Sequence, residues 1–234
     1  MRQHHILIMI ILSTCLFACV NPTSSEITGH SSTAEDAPRL FTDYSASAQD
    51  AFKKCGVSET EYYRLLSLPY KEFDQDFTGG WRAVAKNKDC RDSAANLLKS
   101  YTANFEYEFK SNHTTLEWHT GQVLAGSGNY EEALIFFKRS YKSDEDQKDW
   151  NLYVDGTIAF LKKDKLALQA ARDKLAAIPV PEKLKAARRK FLKDNPNITM
   201  RDGFVDDPGN LYILDDFIEC FNESYSVAYN KCEA

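Results

Sequence analysis

The residues of this 234-residue chain that could do chemistry are paired acids, a few histidines, glycine-rich loops and cysteines. Asp74 with Asp76, and Asp215 with Asp216, have the spacing of carboxylate pairs that share acid–base work once their surroundings push their pKa values apart. Adjacent acids are more common on solvated faces. His113 and His119 stand six apart, so one continuous helix turns them in different directions. The chain has no His-x-x-x-His or His-Glu-x-x-His zinc pattern. Gly126-Ser127-Gly128 lacks the Lys-Ser/Thr that completes a phosphate loop, and reads as a turn between helices. Neither a Gly-x-Ser-x-Gly elbow nor the acidic alternation of a calcium loop is present. The most specific stretch is Thr78-Gly-Gly-Trp-Arg82. Its glycines allow a tight loop that offers an aromatic and a guanidinium together, although Trp81 could equally plug the core below. The expectation is a chain that is not an enzyme, with no catalytic residue, no metal and no cofactor.

Cysteine usage points to an oxidising compartment. Beyond residue 19 the cysteines are Cys55, Cys90, Cys220 and Cys232, an even set that allows three pairings. Sequence proximity favours Cys55–Cys90 and Cys220–Cys232. Metal binding is the alternative, but there is no Cys-x-x-Cys. Because Cys220 and Cys232 are twelve apart, a bridge between them requires the chain to fold back near Asn222-Glu-Ser224.

These residues must be positioned by helices. Hydrophobic residues make up 43% and charged residues 27%, an ordinary globular balance, while 10 Gly and 7 Pro leave few turns for a many-stranded sheet. A net charge of -5 and a pI near 5.6 argue against nucleic acid as partner. Apolar residues recur at three- and four-residue steps through Ala94, Leu97, Leu98, Tyr101, Phe105 and Phe109, and through Tyr130, Ala133, Leu134, Phe137 and Tyr141. Weaker stripes follow at Tyr153–Leu161 and Leu168–Ile178, and Pro181 opens a further helix. Short breaks between them make consecutive helices antiparallel neighbours. The expected fold is all-α: stacked antiparallel helical hairpins with a disulfide-pinned C-terminal tail. Residues 182–193 are strongly basic, and no base occurs among the seven acids of 202–223. The basic helix could attract anionic lipid or be merely solvated; the expectation is that the acidic tail lies along it.

The N-terminus has one basic residue, an apolar run from Ile6, and then Leu16-Phe17-Ala18-Cys19. This resembles the lipobox of bacterial lipoproteins. The resemblance implies a signal peptide over 1–18 and lipidation of Cys19; the polar, Ser/Thr/Pro-containing segment after it, with few large apolar groups, reads as a flexible tether over 19–45, ahead of a single helical domain over 46–234. With Val20 after the cysteine it implies the cell envelope, on the outer membrane facing the periplasm. Asn112-His-Thr, Asn197-Ile-Thr and Asn222-Glu-Ser match the glycosylation pattern and support a secreted protein as the alternative.

From Thr114, Gly121, Gly128-Asn129-Tyr130, Ala133 and Phe137 resemble a tetratricopeptide repeat, with Glu117 standing where the first aromatic is usual. A weaker second copy over 149–180 places Gly156 at 156 − 121 = 35 residues beyond Gly121, with Lys163-Asp164-Lys165 in place of the glycine turn. The resemblance implies a concave groove lined by Trp118 and Gln122 and, in the second copy, Tyr153 and Thr157, with polar help from Asn151 and Arg82. The expected function is a lipid-anchored module that binds an envelope protein or peptide in that groove. Trp118→Ala would then abolish binding and spare the fold. The alternative is an envelope enzyme or glycan-binding accessory, related to peptidoglycan, on a helical scaffold.

Overall fold

The structure, a computed structural model, describes residues 39–105, 110–143, 148–197, 200 and 203–232. The expected signal peptide, Cys19 and the expected tether as far as residue 38 lie outside these, as do Phe109 and the side chain of Phe105.

The packed chain starts before Ser45. Phe41, in a 3-10 turn over Phe41–Asp43, and Tyr44 are both buried, and their rings meet those of Phe52 and Tyr62 at 5.1–6.0 Å. Residues 39–45 are therefore part of the domain, a correction to the expected tether boundary. Two aromatics in a polar segment are enough to fold it down. Ser45 and Ser58 then start α1 (Ala46–Lys54) and α2 (Glu59–Leu66), each hydroxyl accepting from a first-turn amide. After the short α3 (Tyr70–Phe73) and α4 (Gly80–Ala85), a disulfide joins Cys55 to Cys90 with Cα atoms 5.6 Å apart. That bond fastens the end of α1 to the start of α5 (Arg91–Phe105).

From α5 onward successive helices pack side by side: α6 (Lys110–Gly126), α7 (Tyr130–Arg139), α8 (Lys148–Leu161) and α9 (Lys165–Ala176). This is the expected stack of antiparallel hairpins. Asn129 and Asp164 cap α7 and α9, accepting from the amides of Glu132 and Ala167. One continuous core runs through Leu97, Leu116, Phe137, Val154 and Leu168, all fully buried. Among the described residues no helix is long and apolar enough to cross a membrane.

The C-terminal segment closes the stack. α11 (Leu211–Glu219) packs on α8 and α9, and α12 (Tyr225–Ala228) packs on α6. Between them the chain folds back, with the Glu223 amide donating to the Cys220 carbonyl at 2.9 Å and Ser224 capping α12. The reversal permits the Cys220–Cys232 disulfide, whose Cα atoms are 5.7 Å apart.

The acidic tail does not lie along the basic helix α10 (Glu182–Asp194). Among the described residues, its polar contacts with α10 come from the loop before α11. Arg188 donates to the carbonyls of Phe204, Val205 and Asp207, and Lys185 lies 3.4 Å from Asp206. Asp215 instead accepts from Arg172 of α9 at 2.6 Å, and Asp216 is buried. Apolar burial on α8 and α9 outweighs exposed charge pairing, which contributes about 0–1 kcal/mol per pair.

Candidate functional site

The loop between α3 and α4 carries the chemistry. Asp76 accepts from the amide and hydroxyl of Thr78, at 2.9 and 3.0 Å, and so turns the chain. Gly80 then adopts φ +51, and a Cβ there would lie 1.9 Å from the carbonyl oxygen of Phe73. Only glycine allows both the left-handed backbone and so close a crossing. The crossing swings Trp81 back over Asp74.

Asp74 is fully buried. Its Oδ1 accepts from Trp81 Nε1 at 2.9 Å and from His119 Nδ1, on α6, at 2.7 Å. Burial by itself raises the Asp74 carboxyl; the hydrogen bonds from His119 and Trp81, with the charge of Arg82 nearby, outweigh it and hold the group below its ordinary value. Tyr70 is pushed up to about 12, first by burial and then by the negative charge of Asp74. Arg82 donates to the Asp74 carbonyl, stands 3.9 Å from its carboxylate, and lies 4.2 Å over the Trp81 ring. Burial lowers the pKa of its guanidinium despite the neighbouring carboxylate. With His119 Nδ1 donating to Asp74, Nε2 is left facing Arg82 Nη2 at 3.4 Å.

Above this network sits Phe77, 88% exposed, with the Arg82 guanidinium 5.9 Å from its ring. A carboxylate orienting a histidine is also the rear half of a hydrolytic triad. Here the outer nitrogen meets a guanidinium. What the arrangement can do is hold a cation in a fixed position beside an exposed aromatic. Elsewhere, a polar cleft of about 510 Å³ between the start of α5 and α12 mixes Asp89 and Asp92 with Lys88 and Arg91, and so favours neither sign of ligand. Among the described residues no group of three or more His, Cys, Asp or Glu is placed to hold a metal ion.

The residues expected to line a groove are brought together, but inside the core. Trp118 is 3% exposed, and its ring lies 4.7–5.1 Å from those of Phe137, Trp150 and Tyr153. Tyr153 and Thr157 are buried, the Thr157 hydroxyl donating to the Tyr153 carbonyl. Gln122 donates to the Tyr229 hydroxyl just after α12, at 3.1 Å. Asn151 clamps the α7–α8 connection, bonding both the amide and the carbonyl of Lys142. Arg82 stands apart from these, in the Asp74 network. These residues are therefore covered and do not line an open surface: Trp118 lies under Phe137, Trp150 and Tyr153, and Gln122 meets Tyr229 of the C-terminal segment. The residues that sequence reasoning missed are Phe77, which had no pattern around it, and the partnership of Asp74 with His119, separated by 45 positions.

Compared with family models, curated proteins and solved structures, the chain matches none.

Proposed function

We propose that this chain is a non-enzymatic interaction module, lipid-anchored at Cys19 in the bacterial cell envelope. Its tetratricopeptide-like hairpins serve as scaffold, and its partner-binding surface is the Phe77–Arg82 loop. The partner is an envelope protein that offers an acidic or aromatic segment. The two disulfides suit an oxidising extracytoplasmic setting, and the lipobox resemblance supplies the anchor.

One observation carries the choice of surface: a large aromatic 88% exposed above a guanidinium whose position is fixed by the buried Asp74 and Trp81. Aromatic and arginine side chains dominate binding hot spots, and holding the guanidinium in place beforehand reduces the entropy lost on binding. The competing reading, an envelope enzyme or glycan-binding accessory, draws on the Asp74–His119 pair and on a ring that could stack on a sugar.

The test is crosslinking in the native envelope from a photoreactive side chain replacing Thr78, next to Phe77. A protein adduct is expected, and Phe77→Ala should remove it while changing stability by less than about 0.5 kcal/mol, as exposed sites do. The same adduct at the same yield from the Phe77→Ala chain would overturn the reading. A glycan adduct in place of a protein would favour the competitor.

A further inference from the structure

We infer that α10 is a membrane-surface helix that docks on an anionic phospholipid bilayer. The inference is independent of the Phe77–Arg82 surface. None of the residues of α10 is buried. Lys185, Arg188 and Leu192 face the body, half-exposed, and the first two hold the helix to the 203–208 loop. Beside that contact, Leu184 (44% exposed), Ala187 and Phe191 (41% exposed) recur at steps of three and four, forming one apolar stripe on the outside. Phe204 approaches only its end, 6.2 Å from the Phe191 ring.

Charge selects the occupant. The helix has six bases and two acids, 6 − 2 = +4, whereas the whole chain is -5, leaving −9 for the remainder. The remainder of the chain therefore carries a net negative charge that an anionic bilayer repels on average, and α10 is a basic element that such a surface attracts. Lys183 and Lys193 have no acidic partner among the described residues, and the pairs of Arg189 with Glu182 and of Lys190 with Asp194 are solvent-exposed and easily exchanged. By the helical period, Lys183 and Lys190 border the stripe. Cations beside a narrow Leu/Phe stripe, on a helix too polar to enter the hydrocarbon, are the make-up of a helix that lies in the interface.

Hydrogen exchange of the 182–194 amides in the full chain tests this, with vesicles of phosphatidylcholine alone and of phosphatidylcholine with phosphatidylglycerol. Whatever the N-terminal segment does with a bilayer is common to both. Exchange in α10 should slow about tenfold on the anionic vesicles only, as expected for a few unneutralised cations at a charged surface. The double variant Leu184→Asp, Phe191→Asp changes exposed positions; it should keep its far-UV circular dichroism and lose the protection. Equal protection on both vesicles, or none on either, would overturn the inference. Protection that rises with protein concentration in buffer alone would assign the stripe to a second copy of the chain. Protection by soluble polyphosphate alone would make α10 a site for anions and not for a bilayer.

Discussion

The α6–α7 and α8–α9 hairpins reverse direction in the same way with different residues. Gly128 at φ +88 ends α6, and Lys163 at φ +56, 163 − 128 = 35 residues on, ends α8. The backbone bonds match: Asn129 N to Leu124 O and Asp164 N to Ala159 O are both 2.9 Å. A left-handed lysine costs about 1 kcal/mol over glycine, and its side chain offsets part of that. Lys163 Nζ donates to the carbonyls of Phe221 and Glu223 and lies 4.3 Å over the Phe160 ring.

The hairpins differ in how they fill the space over their small residue. A Cβ on Gly121 would lie 2.8 Å from the Phe137 ring, so the first hairpin closes on itself. A Cβ on Gly156 would lie 2.6 Å from Leu214 of α11. The position equivalent to Phe137 in the second hairpin is Arg172, at 172 − 137 = 35. An arginine that pairs with Asp215 on the outside cannot fill the inner gap, and the tail supplies Leu214 instead. The second hairpin, with no filling side chain of its own over Gly156, takes one from the next segment of chain.

The largest expected effect breaks the idea of an open groove. Trp118→Ala and Tyr153→Ala should each cost about 3–5 kcal/mol in urea unfolding, the loss usual for a buried large aromatic. A loss below about 1 kcal/mol would mean that these rings face solvent.

The glycines come next. Gly121→Ala and Gly156→Ala should each destabilise by about 1–3 kcal/mol through overpacking. Measured in a Leu214→Ala background, where the clashing side chain is gone, Gly156→Ala should cost much less, whereas the Gly121→Ala cost should be unchanged, because the close approach at Gly156 is to Leu214 and that at Gly121 is to Phe137. Strict additivity at both positions would erase the distinction between the hairpins.

The turns give the smallest effect. Gly128→Lys should cost about 1 kcal/mol. Lys163→Gly should stay within about 0.5 kcal/mol of the native chain, as relief of backbone strain cancels the lost exposed contacts of its ammonium group.

Much of this was legible in the sequence because it is local. The stripe through Leu97, Leu98 and Tyr101 follows from spacing, and sequence proximity favours the observed disulfide partners among the three possible pairings. The small residue at Gly121, opposite Phe137, was readable for the same reason. What was not legible depends on distant parts of the chain meeting. Nothing near Asp74 points to His119, and the carry-over of Trp118 and Tyr153 as groove residues assumed that nothing else would fill the groove. For Phe41 and Tyr44 the polar composition of the segment outweighed two aromatics in the reading, whereas in folding the aromatics prevailed.

Native-state hydrogen exchange of α11 and α12 tests most directly that the C-terminal segment is part of the core and not a removable cover. Their slowest amides should exchange with the same free energy and denaturant dependence as those of α6 and α8, in one cooperative unit. Exchange of α11 and α12 through a separate opening, several kcal/mol below global unfolding, would contradict it and restore an open groove lined by Trp118 and Tyr153.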